Sequence, residues 1–134
     1  MSEILGHVDA RDRPIVSLSV PDQEDGIPVV IDTGFNGELL IHSTDIDRIG
    51  CNLTDLTVTA EFAGRQRQLL NRARGRLVWF GRQRDVDVLV AMTNAPRSPA
   101  ADEPIGLLGT ALLSPHTLTV DFAARRVVIR ESVD

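Results

Sequence analysis

The run Ile27–Ile31 (IPVVI) is apolar throughout, yet the next residue is Asp32, followed by Thr33 and Gly34. An unbroken apolar run of this length reads as a central strand. A carboxylate at the end of such a strand is costly unless it is hydrogen-bonded, paired or neutralised. No basic residue stands beside it in the sequence. The order Asp-Thr-Gly offers local relief. Gly34 lets the backbone turn tightly and approach closely, so that N–H groups behind the turn can donate to the carboxylate. Thr33 adds a hydroxyl that can bond a neighbouring backbone. An ordinary Asp-x-Gly turn uses the same residues, so the tripeptide by itself leaves two readings open: a plain turn, or a held acidic group.

The rest of the chain is written in short β-rich runs. Pro14 to Val20 (PIVSLSV) alternates apolar and polar residues, as a half-buried strand does. Glu38 to His42 is another short run. It leads into STDIDRIG, where Thr44 and Asp47 form a capping-box pattern for a short helix ending at Gly50. From Leu53 to Thr93 successive β-ribbons are expected, with turns at Gly64 and around Gly81. Residues 93–104 (TNAPRSPAADEP) read as an exposed, mobile loop. The last third gives IGLLG, a helical turn TALLS closed by Pro115, and two strands, TLTVDF and RRVVIR. With helix in the minority and no linker, residues 1–134 read as one all-β domain, a barrel or a sandwich.

Composition narrows the function. The 134 residues are 43% hydrophobic, enough for a buried core of roughly two-thirds of the unfolded surface. The formal net charge is -5, which argues against a role dominated by nucleic acid or a membrane surface. All 14 basic residues are arginine and there is no tyrosine, a pattern of codon bias. Cys51 is alone, so neither an intramolecular disulfide nor a multi-cysteine metal site is available. The charged start MSEILGHVDARDRP does not read as a signal peptide, and no apolar stretch is long enough to span a bilayer. A soluble, cytoplasmic protein is expected.

The segment VVIDTGFNGELLI, followed later by IGLLGTALL, resembles the retropepsin-like (clan AA) aspartic proteases, in particular their small prokaryotic members. In that family an apolar strand delivers Asp-Thr-Gly. A later apolar-apolar-Gly strand, here Leu107, Leu108 and Gly109, passes beside it, and a short helix follows with a Leu-Leu pair, here Leu112 and Leu113. Phe35, Asn36 and Gly37 continue the motif. LVWFGRQRDVDVLV is similar to the family's middle hairpin, and LTVDF with RVVI to its closing strands. The resemblance runs from about Leu5 to Ile129. It implies a retropepsin-like acid-protease β-barrel with one or two short helices, closed as a homodimer.

It also implies a mechanism. One Asp-Thr-Gly per chain is half a site, so Asp32 would meet its twin on a two-fold axis. Two carboxylates a few ångströms apart share one proton, as in the aspartic proteases, and their titration belongs to the pair. The ionised member activates a water and the protonated one polarises the peptide carbonyl. No metal or cofactor is called for. Thr33 would brace the pair through the opposite subunit's backbone, and Gly34 would supply a backbone donor. Phe35 and Asn36, with Ala63, Gly64 and Arg65 at the tip of a flap hairpin, would contact a peptide substrate. Here EFAGRQRQ departs from relatives that carry an acidic or small polar residue before the flap glycine. The loop before Pro104 is a second departure and could gate the cleft.

Other constellations read as structural. Arg72, Arg74 and Arg76 share a strand face and could form a phosphate-binding stripe. Without interleaved aromatics a solvated face with cross-strand partners such as Glu61, Asp85 and Asp87 is the better reading. His7, His42 and His116 lack metal-ligand spacing. Asp121 lacks a following Thr-Gly, and is read as a turn residue. Cys51 has no base beside it and is read as a small buried group. Ser114-Pro115-His116 lacks the elbow glycines of a serine hydrolase. Two functions follow: an aspartic endopeptidase acting on peptide or protein substrate, or a catalytically silent module of the same shape that dimerises or binds peptides.

Overall fold

The computed structural model describes residues 2–92 and 103–132. The expected loop at 93–104 therefore lies almost wholly outside the described residues. The chain is β-rich with a few helical turns, as its run lengths imply. The strands are β1 (Glu3–Val8), β2 (Pro14–Leu18), β3 (Ile27–Ile31), β4 (Leu39–His42), β5 (Asn52–Phe62), β6 (Gln66–Trp79), β7 (Arg82–Ala91), β8 (Gly106–Leu108), β9 (Thr117–Asp121) and β10 (Arg126–Arg130). Two short helices, α1 (Ile46–Ile49) and α2 (Thr110–Leu113), sit where STDIDRIG and TALLS place them. Gly50 ends α1 in the left-handed region at φ 68°, but the Thr44–Asp47 capping box does not form; Asp45 takes the N-cap position without a side-chain cap bond. None of the described helices is long and apolar enough to cross a membrane.

Among the described residues all ten strands belong to one sheet, in the order β5-β6-β7-β4-β8-β3-β2-β1-β10-β9. The ladder is open, with β5 and β9 as its edges. A lone antiparallel bridge between Ser19 and Val78 curls it, tying the chain just beyond β2 to β6 through the Val78 N–H on the Ser19 carbonyl at 2.9 Å. The turns carry the residues that their dihedrals require. Gly64 and Gly81 both have φ 78°, which glycine adopts without a Cβ penalty. Asp121 Oδ1 accepts the Ala124 N–H at 2.9 Å in the β9–β10 turn, in line with its reading as a turn residue.

The middle of the sheet has two buried faces. On one, Ile31, Leu108, Leu39, Val88 and Ala73 are register partners across five strands, and all join the main core. On the other, Val30, Leu107, Leu40 and Leu89 are register partners. The far part of the β5–β6 ribbon packs against this second face through Ala60 and Leu70, enclosing Phe35, Leu40 and Leu89. Burial on both faces explains why β3, β4 and β8 are written as unbroken apolar runs. The arginine ribbons are a charged solvent face: Arg72 pairs with Asp87 at 2.7 Å, Arg76 with Asp85 at 3.1 Å and Arg67 with Glu61 at 3.3 Å. Cys51 is buried, and burial, with the charge of Asp47, pushes its thiol pKa up.

Strand β8 is the tightest fit. A Cβ on Gly106 would lie 1.9 Å from the Leu40 carbonyl oxygen, so only glycine allows β4 to lie against β8. Gly106→Ala should force these strands apart and destabilise the fold by about 1–3 kcal/mol or more. Urea unfolding monitored by Trp79 fluorescence measures this loss.

Candidate functional site

Asp32 follows β3 directly and is half-buried. Its backbone N–H donates to the Leu108 carbonyl at 2.9 Å, extending the β3–β8 pairing by one bond. Its Oδ1 accepts the Gly34 N–H at 2.9 Å, and its carbonyl accepts the Phe35 N–H at 3.2 Å. These are the local donors expected from Asp-Thr-Gly. Among the described residues no arginine forms an ion pair with Asp32; the ion pairs nearest in sequence involve Glu38 and Asp45. Thr33 is exposed.

The loop that carries Asp32 is held from below. Strand β8 is parallel to β3 and antiparallel to β4, so Leu107, Leu108 and Gly109 pass between the two strands that flank the loop. The start of α2 then captures the loop's carbonyls. Gly109 N–H donates to Glu38 O at 3.0 Å, Thr110 N–H to Phe35 O at 2.9 Å and Ala111 N–H to Gly37 O at 3.1 Å. Thr110 Oγ1 adds a bond to the same Phe35 carbonyl at 3.2 Å. Phe35 is fully buried, so the loop is anchored through its ring as well as its backbone.

The Ala63–Arg65 turn joins β5 to β6, at the place assigned to a flap tip. Gly64 and Arg65 both have positive φ, and all three residues are exposed. The turn reaches Gly34: a Cβ there would stand 2.8 Å from Ala63 Cβ and 3.1 Å from its backbone nitrogen. Phe35 and Phe62 stack with centroids 5.3 Å apart and planes at 11°. Asn36 binds the strand before the turn twice. Its N–H donates to Glu61 O at 3.2 Å and its Oδ1 accepts the Glu61 N–H at 3.0 Å. Asp32, Thr33, Gly34, Phe35, Asn36 and Ala63, all named from the sequence, thus fall within one neighbourhood, and Gly64 and Arg65 complete the turn above it.

Beside the loop lies a groove of about 380 Å³, lined by Val30, Leu40, Phe62 and Leu107 together with Arg13 and His42. Val30 precedes Asp32 by two residues, the period that puts strand side chains on one side. The groove is thus built from the strands next to the Asp32 loop and from Phe62 of the hairpin that packs on that loop. Chemically, the arrangement can hold a carboxylate in one position, receive an apolar side chain and cover both with the ribbon.

Two residues matter more than their sequence context suggests. Phe62 contributes the stacking ring and part of the groove; its aromatic character just before AGR was the available signal. Glu38 ties the far end of the loop to β7: its carboxylate accepts the Asp87 N–H at 2.8 Å and Arg84 Nη2 at 2.7 Å. Nothing in the linear sequence pairs Glu38 with residues so far downstream. Glu38→Ala should cost about 1–3 kcal/mol by leaving a part-buried N–H and a guanidinium without their acceptor. Glu38→Gln, which retains one oxygen acceptor, should cost less; comparing the two in urea unfolding measures the difference.

No known family model matches the chain, and no curated protein shows significant similarity to it.

Proposed function

We propose that this protein is an aspartic endopeptidase of retropepsin type, active as a homodimer. The observation that carries the proposal is the placement of Asp32. The residue stands at the end of a buried strand, held by the Gly34 N–H and the Leu108 carbonyl, on a loop whose Gly34 meets the hairpin tip and whose flanking strands line an apolar groove. Salt bridges in this chain are plentiful among the arginines, yet none takes up this carboxylate among the described residues. A cation there would hold the group ionised, which would suit a structural ion pair and not a proton-sharing pair.

In the proposed assembly, two such loops face each other on a two-fold axis and complete the barrel architecture. A single proton between the carboxylates leaves one able to take a proton from water and the other able to donate to the scissile carbonyl. The tetrahedral intermediate then collapses as the nitrogen of the leaving amine gains a proton from the pair. An extended peptide lies between loop and flap, bonded through its main chain. The groove beside Val30 and Leu107 receives an apolar side chain, which favours substrates with aliphatic or aromatic residues next to the cleaved bond.

Two measurements test this reading. Sedimentation equilibrium at high micromolar concentration should give twice the chain mass; a monomer at every concentration would rule out the paired site. Asp32→Asn should lower cleavage of a peptide library by at least about a hundredfold, with the urea midpoint unchanged. Cleavage that survives the substitution would remove Asp32 from the chemistry. A dimer that cleaves nothing even with Asp32 intact would establish the silent module instead.

A further inference from the structure

The hairpin does not hover over the Asp32 loop; it is bonded to it. Asn36 uses both a main-chain donor and a side-chain acceptor to engage the two backbone groups of Glu61, much as a neighbouring strand would. Immediately to either side, the Phe35 and Phe62 rings stack and Ala63 rests against Gly34. Three consecutive residues of the loop, Gly34, Phe35 and Asn36, thus meet three consecutive residues of the flap, Glu61, Phe62 and Ala63. The contact runs antiparallel in order and leaves no layer for a peptide backbone between them.

We propose that Asn36 is the catch of a self-closing latch. In the free chain, the flap occupies the Asn36 N–H, the main-chain group that the loop turns toward the hairpin, and an extended peptide must displace it to enter. This inference rests on the protease reading for what the opened site does, but the latch itself is a property of the fold. The Asn36 N–H and the Glu61 N–H and carbonyl are the groups that an inserted strand would take over, since an extended peptide presents a matching donor and acceptor on one edge. The Asn36 side chain is different. It bonds only to the flap, so it favours the closed state without contributing a backbone group to the peptide. Latch closure therefore lowers apparent peptide affinity by the fraction of molecules that are open.

This separation gives a clean test. Asn36→Ala keeps the loop N–H and removes only the side-chain acceptor; Asn36→Asp keeps an acceptor oxygen. Amide hydrogen exchange followed by NMR should show the Glu61 N–H exchanging about five- to tenfold faster in Asn36→Ala than in the native chain. The Asp variant should stay close to native. The Asp32 N–H, bonded to Leu108 on the other side of the loop, should be unaffected in both, which reports an intact fold. Equal Glu61 exchange in native and Ala chains would overturn the latch, whether or not the protein cleaves peptides. With pepstatin, a statine peptide, as the probe, the Ala variant should bind several-fold more tightly than the native chain. Equal or weaker binding, alongside faster Glu61 exchange, would show that the opened flap does not guard a peptide site and would count against the protease reading alone.

Discussion

The wedging of β8 between β3 and β4 is the constraint on which the rest depends. A strand of three residues, Gly106–Leu108, runs parallel to one neighbour and antiparallel to the other. It supplies the carbonyl that holds the Asp32 N–H, and the chain just beyond it supplies three N–H groups that hold the loop's carbonyls. Buried backbone groups must find partners, and here one short segment serves the Asp32 N–H and the carbonyls of Phe35, Gly37 and Glu38, while the Gly34, Phe35 and Asn36 N–H groups go to Asp32 and Glu61. The position of the carboxylate is therefore set by main-chain bonding around it together with the Gly34 N–H on its own Oδ1.

The second consequence is a sheet centre that is buried twice. Ile31, Leu108 and Leu39 face the main core, while Val30, Leu107 and Leu40 face the ribbon. The same three strands thus support the fold on one side and build the floor of a groove on the other. Apolar burial at the base of the β5–β6 hairpin, through Phe35, Phe62, Ala60 and Leu70, makes the hairpin part of the folded structure and not a loose arm. Opening it at the tip requires the bonds at Asn36, the Phe35–Phe62 stack and the contact at Gly34 to yield, while Ala60 and Leu70 hold the ribbon's base.

Much of this was legible in the sequence because it is local. Gly64, Gly81 and Gly50 mark turns that the chain makes through positive φ. The apolar runs mark strands, and the Leu112–Leu113 pair marks the buried side of α2. The capping box at Thr44 and Asp47 failed for an equally local reason: the preceding turn is a tight 3-10 turn over Ser43–Asp45, so Asp45 and not Thr44 stands at the helix start. The partners of Glu38 were hidden because Arg84 and Asp87 lie in another strand, brought near by the parallel pairing of β4 with β7. The two hydrogen bonds between Asn36 and Glu61 were hidden for the same reason, although both residues stood in segments already singled out.

By itself, the sequence determined which segments are strands, where they turn, and that an unpaired carboxylate would end an interior strand, because these follow from hydrophobic period, glycine dihedrals and the cost of burying charge. Only the tertiary structure decided the order of those strands, the insertion of β8 beside Asp32 and the docking of the β5–β6 hairpin onto Asn36. These are long-range pairings whose register is chosen by how two apolar faces pack at once, and no pattern within a single segment encodes that choice.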